Sequence, residues 1–361
     1  MRFDNSPFLV IWETTQACDL ACRHCRACAI PRRDPHELTT AESLRLLDEI
    51  RQFGDPLMIF TGGDPLKRPD IDELLSHSVS LGLRTTITPS ATPLLTREAV
   101  HRIAGTGVAR MALSIDDEDA SEHDRFRGVR GSFDRAVAAL EWARDAGLET
   151  QINTTVTAHN RGRLSRIAAL VAESEAKLWS VFFLVATGRA SREDDLTAEE
   201  YEQVFAYLYQ LSKTAPFDIK TTEAQHYRRF VAQQRKIDRT AGAAPRSDLI
   251  ARHGGINDGK GLVFISHTGE IYPSGFLPLS AGNVRRDSLA EIYRGHPLFL
   301  GLRNSDGFSG KCGVCEYRKL CGGSRSRAYA LEGDCFASDP RCSYRPPAYP
   351  APDEAIREAR V

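Results

Sequence analysis

This chain has no excess of either charge, no membrane-length apolar run and no leader-like start. Lys and Arg number 47 against 48 Asp and Glu, a formal net charge of -1. Such a surface has no field to draw in a nucleic acid or an anionic membrane. No stretch approaches the roughly 20 apolar residues that cross a bilayer. The longest worth noting, VFFLVA from Val181 to Ala186, has the length of a buried strand. The opening MRFDNSPFLVIWETT carries one basic residue and a short apolar run, without the basic, apolar and small-residue order of a secretory signal. A cytoplasmic protein with no nucleic-acid and no membrane partner is the expectation. Cysteine is also missing from Ala29 through Lys311. The nine cysteines form two groups instead: Cys18, Cys22, Cys25 and Cys28, then Cys312, Cys315, Cys321, Cys335 and Cys342. An odd count, tight spacing and a reducing compartment speak against a disulfide framework and for metal or iron–sulfur ligation.

A chain of 361 residues, 42% hydrophobic and 26% charged, suits one large domain plus a smaller one, each with a core. From Leu9 to about Ser212 short apolar strands alternate with amphipathic helices. Strands are expected to start at Leu9, Leu57, Leu83, Val108, Leu148 and Leu178. One helix is expected to open at Thr39 or Thr40 and close at Gly54, and another to run from Ser132 to Gly147, from their capping residues. Six βα units in series imply a parallel sheet with helices outside, joined by right-handed crossovers. Six fall short of a closed eight-stranded barrel, so an open, partial (β/α)6 TIM-like barrel over residues 1–215 is expected.

The rhythm then breaks. PFDIKTTEAQHYRRFVAQQRKIDR reads as a strand and a helix, followed by a Gly-, Ala- and polar-rich connector, within a linking segment at 216–260. LVFISHTGEIYPSGF reads as a hairpin turning at Thr268–Gly269, and SLAEIYRGHPLFLGLR as a helix leading into the second cysteine group. These make a small α+β domain at 261–345, with a Pro-rich, then charged tail at 346–361.

Cys18, Cys22 and Cys25 are spaced C-x3-C-x2-C on the loop after the first strand, so three thiolates can converge on one metal centre. A structural zinc takes four ligands, and His24 or Cys28 could supply the fourth. A 4Fe–4S cluster on three cysteines leaves one iron open to a substrate or cofactor. In barrels of this kind the strand C-termini carry the site. TGGDP, Thr61 to Pro65, ends the second strand with two glycines that let backbone approach a ligand closely. SIDD, Ser114 to Asp117, ends the fourth strand, and Asn153 lies in the fifth. A strand-end Gly-Gly alone is most simply a turn; beside C-x3-C-x2-C the combination is specific.

Over roughly Leu9 to Ser212 these features resemble the radical S-adenosylmethionine (SAM) enzymes. The resemblance implies that Cys18, Cys22 and Cys25 hold a 4Fe–4S cluster whose fourth iron is chelated by SAM. It implies that Gly62, Gly63 and Asp64 stand for the Gly-Gly-Glu-Pro motif that meets the methionine amino group, Asp64 being one methylene short of the usual Glu. Ser114, Asp116 and Asn153 match positions that touch the cofactor. Reduction by a donor such as flavodoxin or ferredoxin would split the sulfonium and yield a 5′-deoxyadenosyl radical that abstracts a substrate hydrogen. Cys28 has no slot in this pattern, and His24 flanks it.

The second group, C-x2-C-x5-C followed by Cys335 and Cys342, resembles the SPASM or shorter twitch auxiliary-cluster domain of the same enzymes. Ser274 and Ser324 stand where cysteine is usual, so thiolates for one auxiliary 4Fe–4S cluster remain. The resemblance implies Cys312, Cys315, Cys321 and Cys342 as its ligands, with Cys335 spare; a zinc knuckle is the alternative. KTTEAQHYRRF, FISHTGEIYPSGFLPLSAGNVR and CGVCEYRKLCGGSRSRAYA resemble the branch acting on tetrapyrroles, which implies oxidative decarboxylation of a porphyrin propionate to a vinyl group. Arg189, Arg228, Arg229, Arg325 and Arg327 are candidates for the propionates, since a planar guanidinium fork matches a carboxylate. His226 and Tyr227 are candidates for the ring or its metal. Two other readings stay open. A peptide-modifying maturase would usually carry a leader-binding domain, for which a first strand at Leu9 leaves no room. A non-catalytic iron–sulfur carrier or sensor would have no need of TGGDP.

Overall fold

The computed structural model describes residues 3–240 and 255–350; part of the expected connector, 241–254, and of the expected tail, 351–361, lie outside the described residues. The six expected strands are β1 (Leu9–Glu13), β2 (Leu57–Thr61), β3 (Thr85–Ile87), β4 (Arg110–Ser114), β5 (Thr150–Val156) and β6 (Leu178–Phe183). They pair in parallel in sequence order. Two further strands lengthen this parallel run. The strand expected after Pro216 is β7 (Asp218–Thr222), which adds to β6. The first strand of the expected hairpin, β8 (Leu262–Ile265), pairs in parallel with β1, Leu9 opposite Leu262. β9 (Glu270–Tyr272) and β10 (Gly282–Asn283) follow antiparallel. Among the described residues the strand order is β10-β9-β8-β1-β2-β3-β4-β5-β6-β7, with unpaired ends, an open barrel. β1 is buried at four of its five positions, as expected of a strand with neighbours on both edges and cover on its faces.

Helices fill the connections: α1 (Thr40–Phe53), α2 (Ile71–Ser80), α3 (Arg97–Gly105), α4 (Ala120–Arg127), α5 (Ser132–Asp145), α6 (Leu164–Glu173), α7 (Ala198–Leu211) and α8 (Tyr227–Thr240). After the hairpin come α9 (Leu289–Gly295), α10 (Pro297–Arg303), α11 (Gly310–Val314) and α12 (Arg325–Glu332). α1 starts as its sequence suggests. Thr39 accepts from the Glu42 N–H while the Glu42 carboxylate accepts from the Thr39 N–H, a reciprocal cap that satisfies two free donors. α5 is capped from elsewhere: Gly131 holds the N-cap position, and the Asp124 carboxylate accepts from Ser132 Oγ (2.8 Å) and the Phe133 N–H (2.9 Å). The single helix expected from Ser288 is two. Pro297 lacks an N–H and His296 turns extended (φ -66, ψ 133), so α9 ends and α10 begins there.

β5 shows how the sheet divides inside from outside. Thr150, Ile152, Thr154 and Val156 are buried, and Gln151, Asn153 and Thr155 between them are half-buried. Ile152 and Val156 belong to the core formed with the helices, so the alternate residues line the inner face of the barrel. Among the described residues no helix is long and apolar enough to cross a membrane.

Candidate functional site

The loop that leaves β1 is fastened on three sides by its backbone. Gly63 N–H donates to Thr15 O (2.7 Å) and Asp64 N–H to Ala17 O (2.6 Å). Ala21 and Arg23 donate to Arg127 O and Phe126 O (both 3.1 Å), and Arg189 N–H to Cys25 O (3.0 Å). Cys18 and Cys22 are buried in this loop, Cys25 half-buried and Cys28 exposed. Each of the three expected ligands has a donor near its sulfur: Leu20 N–H at 3.3 Å from Cys18 Sγ, Ala29 N–H at 3.4 Å from Cys25 Sγ, and Arg127 Nη1 at 3.8 Å from Cys22 Sγ. Burial pushes the Cys18 thiol up to about 11 and raises that of Cys22, where Arg127 opposes the shift. Thiolates here need a cationic centre, and the N–H donors suit the sulfurs of an iron–sulfur cluster, whose potential such bonds tune. His24 stacks on Phe126 with centroids 4.2 Å apart. Its burial lowers its pKa to about 3 and keeps the ring neutral.

The two glycines of TGGDP serve the cysteine loop. A Cβ on Gly63 would stand 2.4 Å from Ala17 O, and one on Gly62 would stand 2.7 Å from Thr15 O. Gly63→Ala should therefore displace the loop and cost about 1–3 kcal/mol, read as a lowered thermal midpoint with reduced iron incorporation; an unchanged midpoint and iron content would contradict the crowding. Asp64 is buried, and its carboxylate accepts from Thr92 Oγ1 (2.6 Å), Leu66 N–H (3.1 Å) and Ser90 N–H (3.3 Å). Three protein donors thus hold the side chain expected at the cofactor. Ser90, which sequence reasoning missed, donates to Gly63 O (2.7 Å) and lies 3.6 Å from Cys18 Sγ. Its signal was position alone, three residues past the end of β3.

Ser114 and Asn153 are direct register partners in β4 and β5, and Ser180 continues the row in β6. Asp116 sits elsewhere. Its buried carboxylate takes Arg127 Nε at 2.6 Å and Thr155 N–H at 2.8 Å. Its pKa is lowered: burial would raise it, but Arg127 and the other neighbours prevail. The same guanidinium faces Cys22, so Asp116 reaches the thiols through Arg127. Arg127 was also missed; an arginine closing α4 reads as a surface charge.

In the second group Cys312, Cys315, Cys321 and Cys342 line one pocket together with His226, Arg229 and Tyr344. Cys335 is apart from it, buried with Leu277 and Leu302. Gly323 N–H lies 3.3 Å from Cys321 Sγ, and Cys312 Sγ takes Asp339 N–H at 3.5 Å and Arg325 Nη2 at 3.6 Å. Burial pushes Cys342 up to about 11 and Cys321 still higher. Among the described residues no three His, Cys, Asp or Glu side chains are arranged to hold a single metal ion. Ser324, where a cysteine is usual, caps α12 and donates to Glu223.

Most of the candidate arginines are committed to the protein itself. Arg325 is fully buried and donates to Ala337 O (2.6 Å) and Cys335 O (3.1 Å). Arg327, equally buried, faces Asp339 at 3.3 Å and donates to Leu184 O (3.2 Å). Arg229 pairs with Glu202 through both terminal nitrogens. Arg189 is exposed and Tyr227 buried among Phe205 and Phe230. His226 is fully buried on the pocket wall, with Nδ1 3.5 Å from Asp339 Oδ2. Among the described residues the Arg228 side chain makes one hydrogen bond, 3.5 Å to Leu320 O.

The family model that matches residues 12–170 is the radical SAM superfamily. An AdoMet-dependent heme synthase of Nitratidesulfovibrio vulgaris (strain Hildenborough) is 42% identical over 347 residues, covering 95% of this chain and 94% of its own. One from Methanosarcina barkeri (strain Fusaro) is 39% identical over 342 residues, covering 95% and 98%. Streptococcus suis SuiB, solved with S-adenosylmethionine bound, superposes with a TM-score of 0.74 at 19% identity, over 94% of this chain and 78% of that one; this is a likeness of fold.

Proposed function

Because this chain belongs to the radical SAM superfamily, we propose that it converts porphyrin propionates to vinyl groups by oxidative decarboxylation, as a heme synthase. It is a radical SAM enzyme, a class whose chemistry rests on a 4Fe–4S cluster and SAM. When bound, that pair supplies an oxidant able to take an unactivated hydrogen. In our reading the chain's own groups do the rest. Cys18, Cys22 and Cys25 hold the cluster, the Leu20 and Ala29 N–H groups spread charge from its sulfurs, and Arg127, fixed by Asp116, faces the Cys22 sulfur. Ser114 and Asn153 line the inner face where the cofactor would lie, and the Gly62–Asp64 strand end anchors the loop. Losing a β-hydrogen atom and then CO2 turns a propionate into a vinyl group and leaves one electron over. That electron needs an acceptor, and Cys312, Cys315, Cys321 and Cys342 would hold one as a second 4Fe–4S cluster. A flavodoxin or ferredoxin would supply the reducing electron.

The observation that carries this reading is that the identity with heme synthases runs through almost the whole chain, so it takes in both cysteine groups. The test is anaerobic turnover of reconstituted protein with dithionite, SAM and iron coproporphyrin, following 5′-deoxyadenosine and porphyrin mass together. Deoxyadenosine formed in step with CO2 loss from the porphyrin is the expected result. Deoxyadenosine with an unchanged porphyrin would overturn the substrate and keep the enzyme class. Cluster-bearing protein that forms none would favour an electron carrier or sensor.

A further inference from the structure

Among the described residues, Lys220 is a cation on the inner face of the barrel with no anion bonded to it. The register runs Ser114, Asn153, Ser180, Lys220 across β4 to β7, so its side chain continues a polar row. Ile219 beside it turns to the helix-side core. Lys220 is half-buried, and among the described residues it has neither a hydrogen bond nor an ion pair. Burial and then Arg228 bring its ammonium down to about 8. Arg228 stands at the start of α8, just past β7, and its side-chain bond to Leu320 O reaches the residue before Cys321. Lys260 likewise makes no side-chain hydrogen bond or ion pair among the described residues, and burial and then Arg228 depress it against the pull of Asp4. It closes a turn in which Asn257 Nδ2 donates to Gly323 O at 2.8 Å.

The carboxyls near Arg228 are engaged with hydroxyls and make no ion pair with it among the described residues. Glu223 is pushed up to about 8 by burial and Asp258 is raised as well, and they are bonded to Ser324 and Ser326. Arg229, Arg325 and Arg327, by contrast, are held by protein groups: Arg229 by Glu202, Arg325 by the Ala337 and Cys335 carbonyls, and Arg327 by Asp339 and the Leu184 carbonyl. A partly desolvated cation without a partner costs free energy that an arriving anion restores. These cations lie between the inner row of the barrel and the backbone of the second cysteine group, where a substrate read by both would sit.

We propose that Lys220 and Arg228, flanked by Lys260, form the seat for a carboxylate of the substrate and so fix how a porphyrin lies between the two cysteine groups. This rests on the reading of the substrate as a propionate-bearing porphyrin. The test is titration of iron coproporphyrin into the reconstituted protein and its K220M, K220R and R228M variants, followed by visible absorbance, with iron content and SAM affinity measured on each. K220M and R228M should weaken porphyrin binding about ten- to a hundredfold, the range for a hydrogen bond to a charged group. K220R should keep it within about threefold, since the charge is restored. KM should rise in step with Kd while kcat changes less. Saturable binding by the native chain with K220M and R228M unaltered overturns the seat alone. Variants that lose SAM affinity while keeping porphyrin affinity overturn it too, assigning the cations to the cofactor. A flat titration of the native chain overturns both the seat and the porphyrin reading. If K220M fails to fold, R228M decides alone.

Discussion

The variant with Cys18, Cys22 and Cys25 all changed to alanine is expected to form no 5′-deoxyadenosine while keeping roughly half of the native iron, since four cysteines of the other group remain to hold a cluster. The three sulfurs share one loop whose backbone is already fastened to β2, α4 and the segment after β6. Removing them empties a prepared site without unpicking those bonds. Iron assay and chromatographic detection of deoxyadenosine check this together. Undiminished cleavage would remove the cysteine loop from the chemistry, and complete loss of iron would show that the two sites do not load independently.

Changing Cys321 and Cys342 together to alanine is expected to have the opposite signature. SAM cleavage without product should persist, porphyrin decarboxylation should fall to background, and about half of the iron should go. Cys335→Ala is the contrast. Its sulfur packs with Leu277 and Leu302 away from the pocket, so iron and turnover should hold while stability falls by about 1 kcal/mol from the lost packing. Iron per chain, product yield and a thermal melt separate the cases. Normal turnover by the double variant would dismiss an essential second cluster. Iron loss in Cys335→Ala would make it a ligand and overturn the reading of the pocket.

The cysteine spacings and the βα rhythm were legible because both are local: the first ligand set spans eight residues, Cys18 to Cys25, and a βα unit about a few dozen. What escaped depends on partners far away in the chain. The pairing of β8 with β1 joins segments some 250 residues apart, and no periodicity announces it. Arg325 and Arg327 carried the chemistry of propionate binders, yet they point at carbonyls and Asp339. A guanidinium fork serves either purpose equally well on paper. Lys220 was hidden for the converse reason, since a lysine in DIKTT reads as solvent-facing until β6 and the open barrel interior put it inside. Asp64 matched its motif by position, while the use of its carboxylate was fixed by Thr92 and Ser90 from the next strand's loop.

The pairing of β8 with β1 also bears on how the chain is made. One edge of Leu9–Glu13 is covered when β2 arrives, but the other waits for Leu262, synthesised roughly 200 residues after Thr61. At about 5–20 residues per second, the nascent chain carries an apolar, unpaired strand edge for some ~10–40 s, the kind of template on which chains aggregate. The hairpin bearing β8 is therefore the seal on the barrel's first edge, and a chain that stops before it keeps that edge bare.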